Sequence, residues 1–189
     1  EEYLLEVVHL EGPALSSLTH CKCCSKEVAT FYRCKECFGG QILCKSCTVQ
    51  CHIQHPLHHI KEWNGNCFIR MTLQAMGLQV QLGHLPEIPC PCPMTMPSFM
   101  VLHINGLHVI TVNFCACDHV IEYGLPHQQL FQKRWFPAMF EQPQMCAPFS
   151  LLNHFQLATL QAKVTMYDYY GALEKLLNNS GLLHPPICC

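Results

Sequence analysis

Eight Cys and His residues near the start of the chain have the types and spacing of metal ligands: Cys21-x2-Cys24-x9-Cys34-x2-Cys37-x6-Cys44-x2-Cys47-x4-His52-x5-His58. A Cys-x-x-Cys pair suits a tight knuckle that turns both sulfurs toward one ion. Structural zinc takes four such ligands in a closed tetrahedron. Four ligand pairs complete two tetrahedra. In a cross-brace the first and third pairs share one ion, which gives Cys21, Cys24, Cys44 and Cys47. The second and fourth pairs give Cys34, Cys37, His52 and His58. Cys23 competes with Cys21 for its place, His55 or His59 with His58, and Cys51 with Cys47. Closed four-ligand shells leave no position for a reactive water, so these ions point to structure rather than catalysis.

A second group lies downstream. Phe99–Ile104 and Leu107–Phe114 read as strands joined at Asn105-Gly106, the short signature of a type I′ hairpin. With that turn, His103 pairs with His108 and Phe99 with Val112. His108 then lies seven residues from Cys115 along one strand, roughly 23 Å at about 3.3 Å per residue. One ion cannot span that distance, so His108 is set aside as a cross-strand partner of His103. Cys90 and Cys92 lie on the segment that returns beside Cys115 and Cys117, with His84 just upstream. A third site built from Cys115, Cys117, Cys90 and either His84 or Cys92 is within reach.

Composition narrows the setting. Sixteen Cys and thirteen His among 189 residues are compatible with either disulfides or metal, and the repeated Cys-x-x-Cys pairs with spaced His favour metal in a reducing compartment. Lys, Arg, Asp and Glu make up only 13% of the chain, and the formal net charge is -2. A four-cysteine zinc site adds further negative charge because its thiols must ionise. This balance argues against broad electrostatic capture of nucleic acid. No apolar run approaches the roughly 18 residues of a membrane span. The sequence offers no small-molecule site and no carboxylate triad for a nuclease. It starts without Met, ends abruptly, and reads as a segment of a longer protein.

The elements that must hold these ligands are short. Residues 1–12 read as an amphipathic helix stopped by Gly12-Pro13. Residues 15–62 form the cross-brace finger, and 63–84 a connecting segment with a helix over Phe68–Leu82. Residues 85–189 hold the cysteine cluster, with an irregular proline-rich stretch, the hairpin and C-terminal helices. Those helices are His127–Arg134, one capped by Ser150 and running through Leu160, and one from Tyr167 to Leu177 with a stop at Gly181. Cys67, Cys146, Cys188 and Cys189 have no evident metal partners, and Arg134-Trp135-Phe136-Pro137 reads as a core edge. The fold class is small, zinc-stabilised α+β.

The finger spacing resembles B-box and ZZ-type fingers more than a RING, whose order places His in the middle. The chain as a whole resembles the second CxC-like class of cysteine clusters found before the KDZ (Kyakuja–Dileera–Zisupton) transposases of fungi. The resemblance rests on FYRCKECFGGQILCKSC, HPLHHIKEW, MGLQVQLGH, FMVLHINGLHVITVNFCACD, QKRWFPAMFEQP and YDYYGALEKL, in family order. It favours His84 over Cys92 as fourth ligand of the third site. Cys92 and His103 depart from the family pattern. Spacing and hairpin geometry predict two zinc ions in the finger and a third at the hairpin; the resemblance implies nuclear location and an accessory, non-enzymatic role beside a transposase domain not visible here. The expected partner is a protein or a transposase subunit, with transposon DNA as the second choice. A ubiquitin-ligase-type or other interaction finger is the competing class.

Overall fold

Residues 3–5, 19–84, 89–117 and 124–177 are described in the computed structural model of the chain, which divides into two units, Glu1–Leu78 and Gln79–Cys189. Of the helix expected over residues 1–12, only residues 3–5 are described, and they are helical.

In the first unit, β1 (Tyr32–Cys34), β2 (Ile42–Leu43), β3 (Ile60–Trp63) and β4 (Phe68–Met71) form an antiparallel sheet in the order β2-β1-β3-β4. Between β2 and β3 runs one short helix, α1 (Lys45–Cys51). Alternation along the strands sends Tyr32, Cys34, Ile60 and Met71 to one face. There they pack with Leu73, Met76 and Leu78 and with Val49 and Ile53 of the α1 region.

The helix expected over Phe68–Leu82 does not form. Its apolar spacing fits a helical face, but local hydrogen bonding decides otherwise. Asn64 Oδ1 accepts from the backbone N–H groups of Asn66 (2.9 Å) and Cys67 (2.8 Å), folding the chain so that Phe68 pairs with Trp63. Residues 73–77 then make turns that end at Gly77 (φ 97), and Leu78 N donates to Leu73 O. Residues 79–81 join a different sheet.

That second sheet has the order β5-β7-β6-β9-β8, from β5 (Gln79–Gln81), β6 (Pro93–His103), β7 (Gly106–Cys115), β8 (Trp135–Pro137) and β9 (Met145–Pro148). β5 runs parallel to β7 and β9 parallel to β6, while β6/β7 and β8/β9 are antiparallel. Phe99, Val101, Val112 and Phe114 on the central pair are fully buried, and the rings of Phe99 and Phe114 meet edge to face. Helix α2 (Pro126–Gln132) precedes β8; α3 (Phe149–Ala162) and α4 (Met166–Leu177) follow β9. Leu151 and Leu173 pack these last two helices against Leu107 and Ala147. The fold is a small α+β one. Among the described residues no helix is long and apolar enough to cross a membrane.

Three sequence expectations need correction here. The hairpin turns one residue earlier: His103 pairs with Gly106, Val101 with His108 and Phe99 with Ile110. A type I′ turn would demand positive φ at both Asn105 and Gly106, but only Gly106 has it (φ 132). His103 and His108 are therefore not a register pair, although their rings touch. The proline-rich stretch is not wholly irregular, because β6 begins at Pro93. Pro97, which lacks an N–H, falls where the register shifts between Met96 and Phe99, the place a strand tolerates proline. Finally, Ser150 lies within α3 rather than capping it, since the helix starts at Phe149 after Pro148. The expected stop at Gly181, and Cys188 and Cys189, lie outside the described residues.

Candidate metal centres

The first centre forms where a turn meets the end of β2. Cys21 and Cys24 sit on a turn whose exit, Ser25, has φ 56. Cys44 caps α1 and Cys47 lies in its first turn. The four sulfurs lie within 4.8 Å of one another, with Cys24 and Cys44 Sγ atoms 3.8 Å apart. The backbone N–H groups of Cys23 (3.4 Å) and Cys44 (3.3 Å) donate to Cys21 Sγ, the arrangement that favours a thiolate.

The second centre joins the end of β1 to the far end of α1. Cys34 and Cys37 share a knuckle in which Cys37 N donates to Cys34 Sγ (3.3 Å), and Gly39 (φ 85) and Gly40 (φ 52) turn the chain back. His52 follows α1 directly. Its Nδ1 donates to Thr48 O (2.7 Å), which fixes the tautomer and leaves Nε2 facing Cys37 Sγ at 3.5 Å. His58 Nδ1 lies 3.4 Å from both Cys34 and Cys37 sulfurs. His55 stacks on the His58 ring, and His59 bonds Glu36 through Nδ1 and backbone N. Burial would raise the Glu36 carboxyl, but these bonds hold it at about 2.

The third centre lies at the open end of the β6/β7 hairpin. His84 Nε2 approaches Cys115 Sγ at 3.2 Å and Cys117 Sγ at 3.7 Å, and Cys90 and Cys117 sulfurs are 3.6 Å apart. Cys92 is exposed, and its carbonyl accepts from Ala116 N. His108 sits at the hairpin tip, bonded to Asn105 Oδ1, away from this group. Gly83 lets the His84 segment approach: at φ 74, an added Cβ would lie 2.6 Å from Cys115 Cβ.

One residue that spacing does not reveal holds this centre in place. Gln129 on α2 is fully buried. Its Oε1 accepts Cys115 N–H (2.9 Å), and its Nε2 donates to Cys115 O (2.9 Å) and Gly124 O (2.9 Å). An uncharged Gln on a short helix carries no ligand signal.

These distances suit a tetrahedral metal ion rather than a disulfide. A tetrahedron with metal–sulfur bonds of about 2.3 Å and metal–nitrogen bonds of about 2.0 Å needs S···S near 3.8 Å and S···N near 3.6 Å. A disulfide would bring sulfurs to about 2.0 Å. The observed separations match the tetrahedron. Ionisation fits too. Burial raises Cys21, but N–H donors from Cys24, Cys44 and Cys23 bring it down to about 6. Its neighbour Cys47 is pushed up, chiefly by Cys44. Burial pushes Cys34 up to about 12 and, with help from Cys117 and Cys90, Cys115 to about 11. Thiols packed this closely do not all ionise unless a cation neutralises them. The three Cys/His groups thus suit a zinc-type ion, each with four protein donors.

Among known proteins, a family model described as a CxC2-like cysteine cluster associated with KDZ transposases matches residues 73–181, more than half of the chain. That span contains the third centre whole, while the first two lie before it. No curated protein and no solved structure matches the chain.

Proposed function

This chain belongs to the family of CxC2-like cysteine clusters associated with KDZ transposases, and from that premise we propose that it is a zinc-binding, non-catalytic recognition module of a KDZ-type transposase. The observation that carries this reading is the set of three four-donor groups, each with its ligand atoms within 4.8 Å. Four protein donors complete a structural zinc shell and leave no position for substrate or water. The ligands are Cys21, Cys24, Cys44 and Cys47; Cys34, Cys37, His52 and His58; and His84, Cys90, Cys115 and Cys117. The ions would cross-link the folded chain, and the finger would be B-box- or ZZ-like. The near-neutral charge favours a protein partner or transposase subunit, with transposon DNA as a second contact, in the nucleus of a fungal cell.

Native mass spectrometry of the purified chain tests this directly. Three zinc ions are expected, lost on chelation together with the folded state. Two ions would remove one centre, and none would remove the proposal.

A further inference from the structure

The first unit carries a feature that the chain's overall charge conceals. Seven of the eleven Lys and Arg residues lie between Lys22 and Arg70, against three carboxylates, Glu27, Glu36 and Glu62. The strand register then sorts some of these charges. Arg33 on β1 pairs with Lys61 on β3, and Lys61 pairs with Arg70 on β4. Paired residues in neighbouring strands share a face. Three cations therefore form a row across three strands, spanning two strand spacings or about 10 Å. This face is opposite the one that Tyr32, Cys34, Ile60 and Met71 bury in the core.

Aromatic rings lie beside the row. Trp63 pairs with Phe68 two residues along the same face, with ring centroids 5.1 Å apart. The Arg33 guanidinium lies over Phe68, 4.1 Å from its centroid. Arg70 is exposed, while Arg33, Lys61, Trp63 and Phe68 are half-buried. Glu62 is the one carboxylate on these three strands. It shares the parity of Ile60 and acts on Tyr32, whose hydroxyl burial and the Glu62 charge both push up. Glu36, just beyond β1, is drawn to His59, although its charge also reaches Arg70.

We infer that this Arg33–Lys61–Arg70 face, with Trp63 beside it, binds single-stranded DNA, the cations meeting successive phosphates and the indole stacking on a base. Two features favour DNA over an acidic peptide. A sheet face that sets rings next to a cation row is the pattern of a stacking platform, since every base offers a π-face. A peptide carboxylate would use the cations and leave the indole without a stacking partner. The local row also reconciles this contact with a near-neutral chain, because phosphate binding depends on charges at the surface touched. The inference deepens the recognition-module reading and rests on it for a folded, zinc-loaded finger.

The test uses the full zinc-loaded chain and a fluorescein-labelled oligothymidylate of about 12 nucleotides, a length within the site size of such platforms. Fluorescence anisotropy across a salt series reads affinity. With three phosphates engaged, log affinity should fall against log salt with a slope of about -2, at about -0.7 per phosphate. Lys61→Ala and Arg70→Ala should each weaken binding roughly tenfold and flatten the slope by about 0.7. The chain has two tryptophans, so Trp135→Phe leaves Trp63 as the sole indole, and its emission should be quenched on binding. Absent binding at the lowest salt, or binding unchanged in both variants, overturns the inference. So does equal binding of polyglutamate with no quenching of Trp63, which would assign the face to an acidic protein. Zinc counted on the same samples separates the two levels: lost metal counts against the module reading, whereas intact metal without binding counts against this face alone.

Discussion

Removing the Gln129 side chain should cost the third centre its metal affinity while leaving the other two intact. Gln129→Ala deletes three hydrogen bonds of 2.9 Å and leaves the N–H and C=O of Cys115 and the carbonyl of Gly124 without that partner. Cys115 is buried, so water reaches its backbone poorly. Each buried orphan costs about 1–3 kcal/mol. Gly124 is only half-buried and rehydrates, which leaves two costly orphans. Water admitted to the vacated space offsets part of that, for a net of about 3 kcal/mol. Because Cys115 is itself a donor in the site, the loss falls on the metal-bound state. At about 1.4 kcal/mol per tenfold, zinc affinity at this centre should drop about a hundred-fold. Competition with a chromogenic chelator should show one ion released far more readily than in the unsubstituted chain and two released as before. Native mass spectrometry would then find two tightly held ions. Three ions with unchanged competition would refute the positioning role. Release of all three together would show that the substitution unfolds the chain rather than loosening one site.

Two further outcomes follow from thiol chemistry. In the metal-free protein, Cys34 is pushed up to about 12 and Cys115 to about 11, so both carry protons at neutral pH. Zinc binds cysteine as the thiolate, so binding expels at least one proton at each of these two centres, and their affinity should rise about tenfold or more per pH unit between pH 6 and 8; calorimetry in buffers of different ionisation enthalpy counts the protons, and affinity independent of pH would contradict it. In the native, metal-loaded chain, iodoacetamide should modify exposed Cys23, Cys51, Cys67 and Cys92 well before Cys146, which is 1% exposed and whose thiol burial pushes up; peptide mapping that finds Cys146 modified early would place it outside the core.

What the sequence disclosed depended on how local the determinant was. Cys-x-x-Cys knuckles are local, so the twelve residues named from spacing and family resemblance are the ones that the structure gathers into three groups. The hairpin was legible because Asn105-Gly106 and alternating apolar residues are local as well. Its register was not: the positive φ fell on Gly106 alone, and the irregularity near Pro97 moved the remaining pairs. Phe68–Leu82 was misread because its apolar residues suit either period, and the choice was made by Asn64 and by pairing with β3 and β7. Gln129 and the Arg33–Lys61–Arg70 row are matters of tertiary placement, and an isolated Gln or three scattered cations give no sign of it.

The short elements of the first unit also set what metal would do for its folding. Helix α1 has seven residues and no side-chain cap, too short to persist alone. Its N-cap Cys44 and its Cys47 belong to one centre, and its C-cap His52 to the other. Ions in both centres would fasten both ends of the helix, one to the Cys21–Cys24 turn and the other to the end of β1. The apolar cluster beneath is small and includes a candidate ligand, Cys34, among its members. Structural zinc contributes roughly 10–16 kcal/mol at neutral pH in small fingers, as much as the entire net stability of an ordinary domain, about 5–15 kcal/mol. Two such ions would outweigh this small core, so chelation should unfold the sheet that carries Arg33, Lys61 and Arg70. Zinc occupancy and the DNA binding inferred for that face would then be linked, so a ligand of the face should also tighten the metal.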